Sequence, residues 1–90
     1  MIKTPHNNAY KILIENLVAE RNRQGLSVRQ LAEKLGTFHS LVIKTESRER
    51  RLSVIEFVQY AKALNLDYCA LLKEFDDNLT KEAAMKASEK

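Results

Sequence analysis

The sequence predicts an all-α domain built from five short helices. In several segments apolar residues recur three and four positions apart, the period of a helix with one buried face. Two segments open with a serine followed three residues later by Gln or Glu, which is the spacing of a helix capping box. No segment alternates apolar and polar residues in the way that a half-buried strand would. These observations exclude a β or mixed fold.

Length and composition limit the chain to one globular domain. Its 90 residues are 44% hydrophobic and 30% charged, which excludes a disordered or fibrous chain. No apolar run approaches the roughly 18 residues that span a bilayer, and no signal-peptide stretch opens the sequence. We therefore expect a cytoplasmic protein without membrane contact. The single Cys69 forms no intrachain disulfide and lacks zinc-ligand spacing to His6 and His39, so we expect no metal or cofactor.

The first helix is predicted to follow a flexible arm at residues 1–8, where Pro5 opposes a continuous helix. It begins at about Ala9, and Gly25 ends it in the left-handed conformation. Arg21 falls in line with the apolar stripe, so its stem is expected to pack while its head meets a partner or solvent. The stripe consists of Tyr10, Leu13, Ile14, Leu17 and Val18.

Capping boxes mark the starts of the second and fourth helices. Ser27 and Gln30 have the S-x-x-Q spacing, and Ser53 and Glu56 have the S-x-x-E spacing. In such a box, the serine hydroxyl and the longer side chain each accept a backbone N–H bond. Asn65 tolerates the left-handed conformation and is predicted to end the fourth helix.

The remaining segments are predicted from shorter patterns. A third helix covers about 38–45, and the charged segment 46–52 is predicted to be a loop. Asp67 is expected to cap a fifth helix over about 68–75. Residues 76–90 are a polar tail, predicted to form a frayed helix or none.

Basic charge is concentrated in the first part of the chain. The formal net charge is only +3. Residues 1–53, however, hold ten basic and five acidic side chains, whereas residues 54–90 hold five and seven. Arg48, Arg50 and Arg51 form a cluster in the basic part. This asymmetry fits a surface that meets a polyanion, and it also fits a solvated surface with a chance imbalance.

The most informative stretch is the pair of short helices within residues 27–45. Ala32 is small enough to let two crossing helices approach closely, and Gly36 permits the positive φ of a tight turn between them. Val42 then fills the space between the third helix and the core. Such a pair leaves its second helix protruding, ready to enter a DNA major groove about 12 Å wide.

With these residues the chain resembles the Cro/CI-type (XRE-like) helix-turn-helix transcriptional regulators. The resemblance extends from about Tyr10 to Phe75 without a gap. It implies a five-helix, lambda-repressor-like DNA-binding domain over residues 9–75. The matching segments are Gly25-Leu26-Ser27, Leu31-Ala32-Glu33-Lys34-Leu35-Gly36, Lys44-Thr45-Glu46-Ser47, Arg50-Arg51-Leu52-Ser53-Val54-Ile55-Glu56-Phe57 and Ala61-Lys62-Ala63-Leu64.

The resemblance also implies a function and a contact map. It implies a repressor or activator, more often a repressor, that binds double-stranded operator DNA with an inverted repeat. It further implies a homodimer formed through the fifth-helix region. The residues implied to read bases are Phe38, His39, Ser40, Ile43 and Lys44. Those implied to contact phosphates are Arg29, Gln30, Arg48, Arg50 and Arg51.

Several residues depart from the family pattern. Val28 stands where Gln is common, and Leu41 and Ile43 replace residues that are usually small or polar. Arg48 occupies a position that is usually Gly, so the turn there must be strained or bend differently. Thr45 replaces a large apolar residue, and its hydroxyl is expected to bond to the Leu41 carbonyl.

These departures leave alternatives open at the third helix. Phe38 and Ile43 could contact thymine methyl groups, cover the domain's own surface, or dock a protein. The alternative function is accordingly a protein-interaction module, such as an antitoxin or phage adaptor, that uses Phe38, Leu41 and Ile43. An enzyme is not expected, because no nucleophile–base pair, carboxylate dyad or phosphate-binding loop is visible.

Overall fold

The computed structural model describes residues 8–88, and the side chains of residues 8–84. Within this range the chain forms five α-helices joined by short loops. This confirms the all-α, five-helix prediction, and no strand occurs within the described residues. The predicted arm lies outside them except for Asn8, which is the first residue of α1. The helices are α1 Asn8–Arg23, α2 Val28–Leu35, α3 His39–Glu46, α4 Val54–Ala63 and α5 Tyr68–Ser88.

Both predicted capping boxes are present. The Ser27 N–H donates to Oε1 of Gln30 at 2.8 Å, and the Gln30 N–H donates to the Ser27 hydroxyl at 3.1 Å. Ser53 and Glu56 repeat the pattern with the same two distances. These bonds satisfy N–H groups that a helix start otherwise leaves without partners, so α2 and α4 begin where the sequence predicts.

The ends and starts of the other helices follow local chemistry as well. Gly36 has φ 69° and Asn65 has φ 57°, so both adopt the left-handed conformation. Asp67 caps α5, because its Oδ1 accepts the N–H groups of Cys69 at 2.9 Å and Ala70 at 3.2 Å. One boundary is corrected: Glu46 belongs to α3, so the predicted loop begins one residue later.

A small core joins the first four helices. Ala32 is 3% exposed and Val42 is fully buried, in agreement with the roles predicted for them in the helix pair. Burial of one large aliphatic side chain contributes about 1.5–3 kcal/mol, and a domain of this size buries few of them. The central cluster consists of Ile14, Leu17, Leu31, Ala32, Val42, Tyr60 and Leu64.

The fifth helix is longer than predicted. It continues past Phe75 to Ser88 and runs antiparallel to α1. The Asn16 side chain donates to Oε1 of Glu74 at 3.1 Å, and the Ala9 N–H donates to the Glu82 carboxylate. A carboxylate at the start of α1 also stabilises the helix dipole. The boundary predicted at about Phe75 is therefore corrected: of the two alternatives predicted for the tail, the helical one occurs as far as Ser88, and contacts with α1 support it.

Candidate nucleic-acid interface

The N-terminal part of α3 presents a polar and apolar surface to solvent. His39 begins the helix, and Phe38 precedes it as the N-cap residue without a side-chain capping bond. Val42 and Thr45 face inward, being 0% and 2% exposed. The five residues predicted to read bases lie together on the exposed side: Phe38, His39, Ser40, Ile43 and Lys44.

The start of α2 lies beside the start of α3. Arg29, Phe38 and His39 line one open hollow of about 240 Å³ between the two helices. Gln30 is exposed, and its side-chain oxygen already accepts the Ser27 N–H, so its amide N–H groups remain to serve as donors. The helix pair therefore brings the first predicted phosphate contacts onto the same surface as the base-reading residues.

An ion pair between α1 and α3 fixes the end of the exposed helix. Arg21 donates from Nε to Oε2 of Glu46 at 2.6 Å and from Nη2 to Oε1 at 2.9 Å. Its Nη1 also donates to the Leu26 carbonyl at 2.7 Å. Only 12% of the Arg21 side chain and 18% of the Glu46 side chain are exposed. This two-pronged geometry restricts how α3 can tilt relative to α1.

Sequence reasoning left the partner of Arg21 open and did not assign Glu46 a role. The available signal was the arginine within an apolar stripe, because a guanidinium beside a core requires an anion or a carbonyl. Thr45 behaves as expected: its hydroxyl donates to the Leu41 carbonyl at 2.8 Å. The hydroxyl is thereby satisfied within α3.

Arg48 adopts the strained conformation anticipated from its position. Its φ is 66°, in the left-handed region that favours Gly. The residue is exposed and lines an open hollow of about 420 Å³ against α1, together with Glu15, Val18 and Asn22. The guanidinium that is predicted to contact a phosphate therefore lies where α1 meets the end of α3.

Arg50 lies in an ion pair with the first turn of α4. Its Nη2 donates to Oε2 of Glu56 at 2.5 Å. The hydrogen bonds from Arg50 and from the Ser53 backbone hold the pKa of Glu56 below its usual value, and Glu56 in turn raises the pKa of Arg50. Glu56 thus serves both as a helix cap and as an anchor for the loop, a second role that the capping-box spacing did not indicate.

Arg51 lies near α1. Its guanidinium carbon is 5.9 Å from the centre of the Tyr10 ring, within the range of a cation–π contact. The Tyr10 hydroxyl accepts the Leu52 N–H at 3.1 Å. The three arginines of this cluster, Arg48, Arg50 and Arg51, therefore have three different surroundings. Their phosphate contacts stay predictions.

Two further searches found nothing among the described residues. In residues 8–88 no three His, Cys, Asp or Glu side chains come together as metal ligands. Over the same residues, no helix is both long and apolar enough to cross a membrane.

The crossed helix pair, its small buried alanine and the exposed third helix define a DNA-binding helix-turn-helix regulator. The family described as Helix-turn-helix (HTH_3) matches residues 17–71. The chain is similar to the solved structure of an XRE-family like protein from Pseudomonas syringae pv. tomato str. DC3000. The two share 39% identity over 82% of this chain and 90% of the other, with a TM-score of 0.75. No curated protein matches the sequence. This chain belongs to the Cro/CI-type (XRE-like) helix-turn-helix family.

Proposed function

We propose that this protein is a cytoplasmic transcriptional repressor that binds an inverted-repeat operator as a homodimer. Each copy places α3 in the major groove of one half-site. The observation that carries the proposal is the shared surface of the two helix starts, where Arg29, Phe38 and His39 line one hollow. The exposed positions of α3 ahead of Glu46 carry no carboxylate, and Glu46 itself is paired with Arg21. A DNA groove therefore meets no unpaired negative charge on this helix.

The exposed side of α3 suggests how sequence is read. Phe38 is 78% exposed and Ile43 is 48% exposed. Much of each side chain is therefore available for a contact outside the domain. Thymine methyl groups offer an apolar contact in the major groove. We assign Phe38 and Ile43 to such contacts, and His39, Ser40 and Lys44 to hydrogen bonds with base edges or neighbouring phosphates.

The phosphate contacts are proposed to frame this helix. Arg29 and Gln30 approach one backbone from the start of α2. Arg48, Arg50 and Arg51 approach from the segment after α3. Arg50 does so while its guanidinium is oriented by Glu56, which leaves its other N–H groups free to donate.

The dimer surface is proposed to include α5 and the adjoining start of α4. An apolar groove of about 200 Å³ runs between them, lined by Leu52, Phe57, Leu72 and Phe75 among others. Apolar side chains next to it are open to solvent, which is typical of interaction surfaces. The most exposed are Val54 at 80%, Ile55 at 71%, Leu72 at 48% and Tyr68 at 37%.

Selection from a random duplex library tests the central proposal. An enriched sequence should have two-fold symmetry, with half-sites about 34 Å apart centre to centre. Its affinity, measured by fluorescence anisotropy, should fall steeply with salt, with a log–log slope of roughly −0.9 for each phosphate neutralised. Lys44→Ala should weaken binding, whereas Lys73→Ala on α5 should not. If nothing is enriched, the groove-reading proposal fails.

Replacing thymine by deoxyuracil tests the assignment of Phe38 and Ile43. The substitution removes only the methyl group and leaves every hydrogen-bonding atom in place. At the T·A pair that Phe38 contacts, it should weaken binding severalfold for the wild type and have little effect on Phe38→Ala, and Ile43→Ala should behave in the same way at its own pair. An operator that tolerates uracil at every position would refute the methyl contacts without refuting DNA binding.

Sedimentation velocity tests the dimer. Wild-type protein should show a concentration-dependent monomer–dimer equilibrium that operator DNA shifts toward the dimer. Leu72→Glu should shift it toward the monomer and weaken operator binding, while Lys73→Glu, one position along the same helix, should not. A Leu72→Glu protein that still dimerises would show that the dimer interface does not include this part of α5.

In vitro transcription determines the sign of regulation. With the selected operator overlapping a promoter, the repressor proposal predicts less transcript as protein is added. More transcript would identify an activator.

The second candidate function is a protein-interaction module, and the exposure of Phe38 and Ile43 favours it. Leu41, which the sequence grouped with them, is half-buried and contributes less to such a surface. Steep salt dependence of a selected duplex would support the DNA reader. Failure to select any duplex would direct the search to a protein that α3 binds.

A further inference from the structure

A small cavity lies behind α3, on the side opposite the proposed groove-reading surface. Its volume is about 90 Å³, it is bounded by the inner side of α3, the end of α2 and one side of α4, and one side of it is open to solvent. From α3 it is lined by Leu41, Val42 and Thr45. Thr45 stands where the family resemblance expects a large apolar residue, so the shorter side chain accounts for the space.

A buried hydroxyl lines this cavity without a partner of its own. Tyr60 is 6% exposed, and no atom of the described residues makes a hydrogen bond of normal geometry with its hydroxyl. Burial raises the pKa of Tyr60. The Thr45 hydroxyl gives its own hydrogen to the Leu41 carbonyl, so it has none to donate to the Tyr60 oxygen. Buried hydroxyls in native proteins are normally satisfied, so this one marks a place for a polar atom.

The rest of the lining defines the chemistry that would match. Thr37 and Gln59 add uncharged polar groups, and Leu35, Leu41 and Val42 add an apolar wall. Arg50 and Glu56 also line the cavity, but they are paired with each other and present no net charge. At roughly 30 Å³ each, the volume would hold about three waters, or one small organic molecule.

We propose that this cavity is a binding site for a small neutral molecule with a hydroxyl or amide group on a short hydrocarbon body. The polar group bonds to the Tyr60 hydroxyl, and the hydrocarbon body packs against Leu41 and Val42. A charged ligand of the same shape binds less well, because Arg50 and Glu56 in the lining already neutralise each other and desolvation of the ligand's charge is poorly compensated. The occupant contacts the inner side of α3 and therefore stabilises the domain from behind its exposed surface.

The test is a ¹H–¹⁵N correlation titration of the full chain with propionamide, and separately with propionate, to about 0.1 M. Propionamide should give saturable shifts centred on the amides of Thr37, Thr45 and Tyr60. Propionate, which has the same shape and a charge, should bind at least about tenfold more weakly. Shifts that stay linear in concentration, or equal binding of the two probes, would overturn the proposal. The titration contains no DNA, so its outcome is independent of the proposed function.

Variants place the binding in the cavity. Thr45→Leu should fill the space, abolish the propionamide shifts and raise the melting temperature, as filling a cavity does. Tyr60→Phe keeps the ring and should weaken binding about tenfold, the loss expected for a buried hydrogen bond. Tyr68→Phe, which alters an exposed tyrosine on α5, should bind as the wild type does. Undiminished binding by Thr45→Leu would refute the site.

Discussion

Phe38 occupies a position where stability and the proposed function conflict. As the N-cap residue of α3 it supplies no side-chain hydrogen bond, although Ser27 and Ser53 do so at the starts of α2 and α4. Its side chain is also 78% exposed, so the ring gains little from burial. The contact with DNA proposed for Phe38 would account for a residue that neither caps the helix with its side chain nor packs against the domain.

Phe38→Ser should therefore stabilise the free protein and weaken operator binding. A serine N-cap contributes about 0.5–2 kcal/mol, which corresponds to about 4–8 °C per kcal/mol in a domain of this size. Thermal unfolding and anisotropy on the selected operator measure the two effects. Phe38→Ala is the control, since it removes the ring without adding a cap and should give only the loss of affinity. A Phe38→Ser protein with wild-type affinity would contradict the contact.

Arg48 carries a second conflict, in its backbone. A non-glycine residue at φ 66° costs roughly 1–2 kcal/mol relative to Gly. Arg48→Gly should raise the free energy of unfolding, measured by urea denaturation, by about 1 kcal/mol. It should also make the log–log slope of DNA affinity against salt concentration less steep, by the amount that corresponds to about one phosphate contact. Arg48→Lys keeps the charge and the strain, and should change neither quantity much. An unchanged salt slope in Arg48→Gly would remove Arg48 from the contact map.

At the scale of helices, the α2–α3 pair depends on the small size of Ala32. Ala32→Leu should destabilise the domain by about 1–3 kcal/mol, because three added carbon atoms must enter a buried helix crossing. Ala19→Leu on the exposed side of α1 is the matched control and should stay within about 0.5 kcal/mol of the wild type. Chemical denaturation measures both. An Ala32→Leu protein as stable as the wild type would show that the contact between α2 and α3 can accommodate the larger side chain.

The same helices show which features the sequence could predict. Capping boxes, left-handed ends and the Thr45–Leu41 bond depend on residues within four positions of each other, and all of these were predicted correctly. The periodicity of the apolar residues likewise gave the number and order of the helices. The exposed side of α3 was predicted because its period separates it from the buried Val42 and Thr45.

The features that were missed depend on contacts between distant residues. Glu46 meets Arg21 across 25 positions, and Glu82 meets Ala9 across 73. The helical form of the segment after Phe75 was one of the two alternatives predicted for it, but its packing against α1 could not be read from its weak apolar pattern. Arg50 pairs with Glu56 six positions away, which required the loop conformation to be known.

At the scale of the whole molecule, carboxylates with lowered pKa values contribute to stability against acid. On α1 the Glu20 side chain accepts hydrogen bonds from Arg23 and Gln24, which lower its pKa from 4.5 to about 2. A carboxylate whose pKa is lower in the folded state stabilises the fold above its unfolded pKa. That stabilisation is lost as the pH falls through the folded value. The lowered pKa of Glu56 acts in the same direction.

The melting temperature should therefore decrease between about pH 4.5 and pH 2. Glu20→Gln, which cannot titrate, should show a shallower decrease over that interval than the wild type. Glu15→Gln, on the same helix but outside this set of hydrogen bonds, should follow the wild-type curve. Parallel curves for the wild type and Glu20→Gln would show that the Arg23 and Gln24 contacts do not persist in solution.

The contact between Ala9 and Glu82 has a consequence for how the chain is made. A ribosome that adds about 5–20 residues per second needs about 4–15 s to synthesise the 73 positions that separate them. During that interval the side of α1 that packs on α5 stays uncovered, although the α2–α3 pair is already synthesised. A message cut short before Tyr68 would yield a protein whose first helix lacks α5 altogether. Such a product would unfold locally more often and be cut by proteases more readily than the longer chain, in which α5 packs against α1.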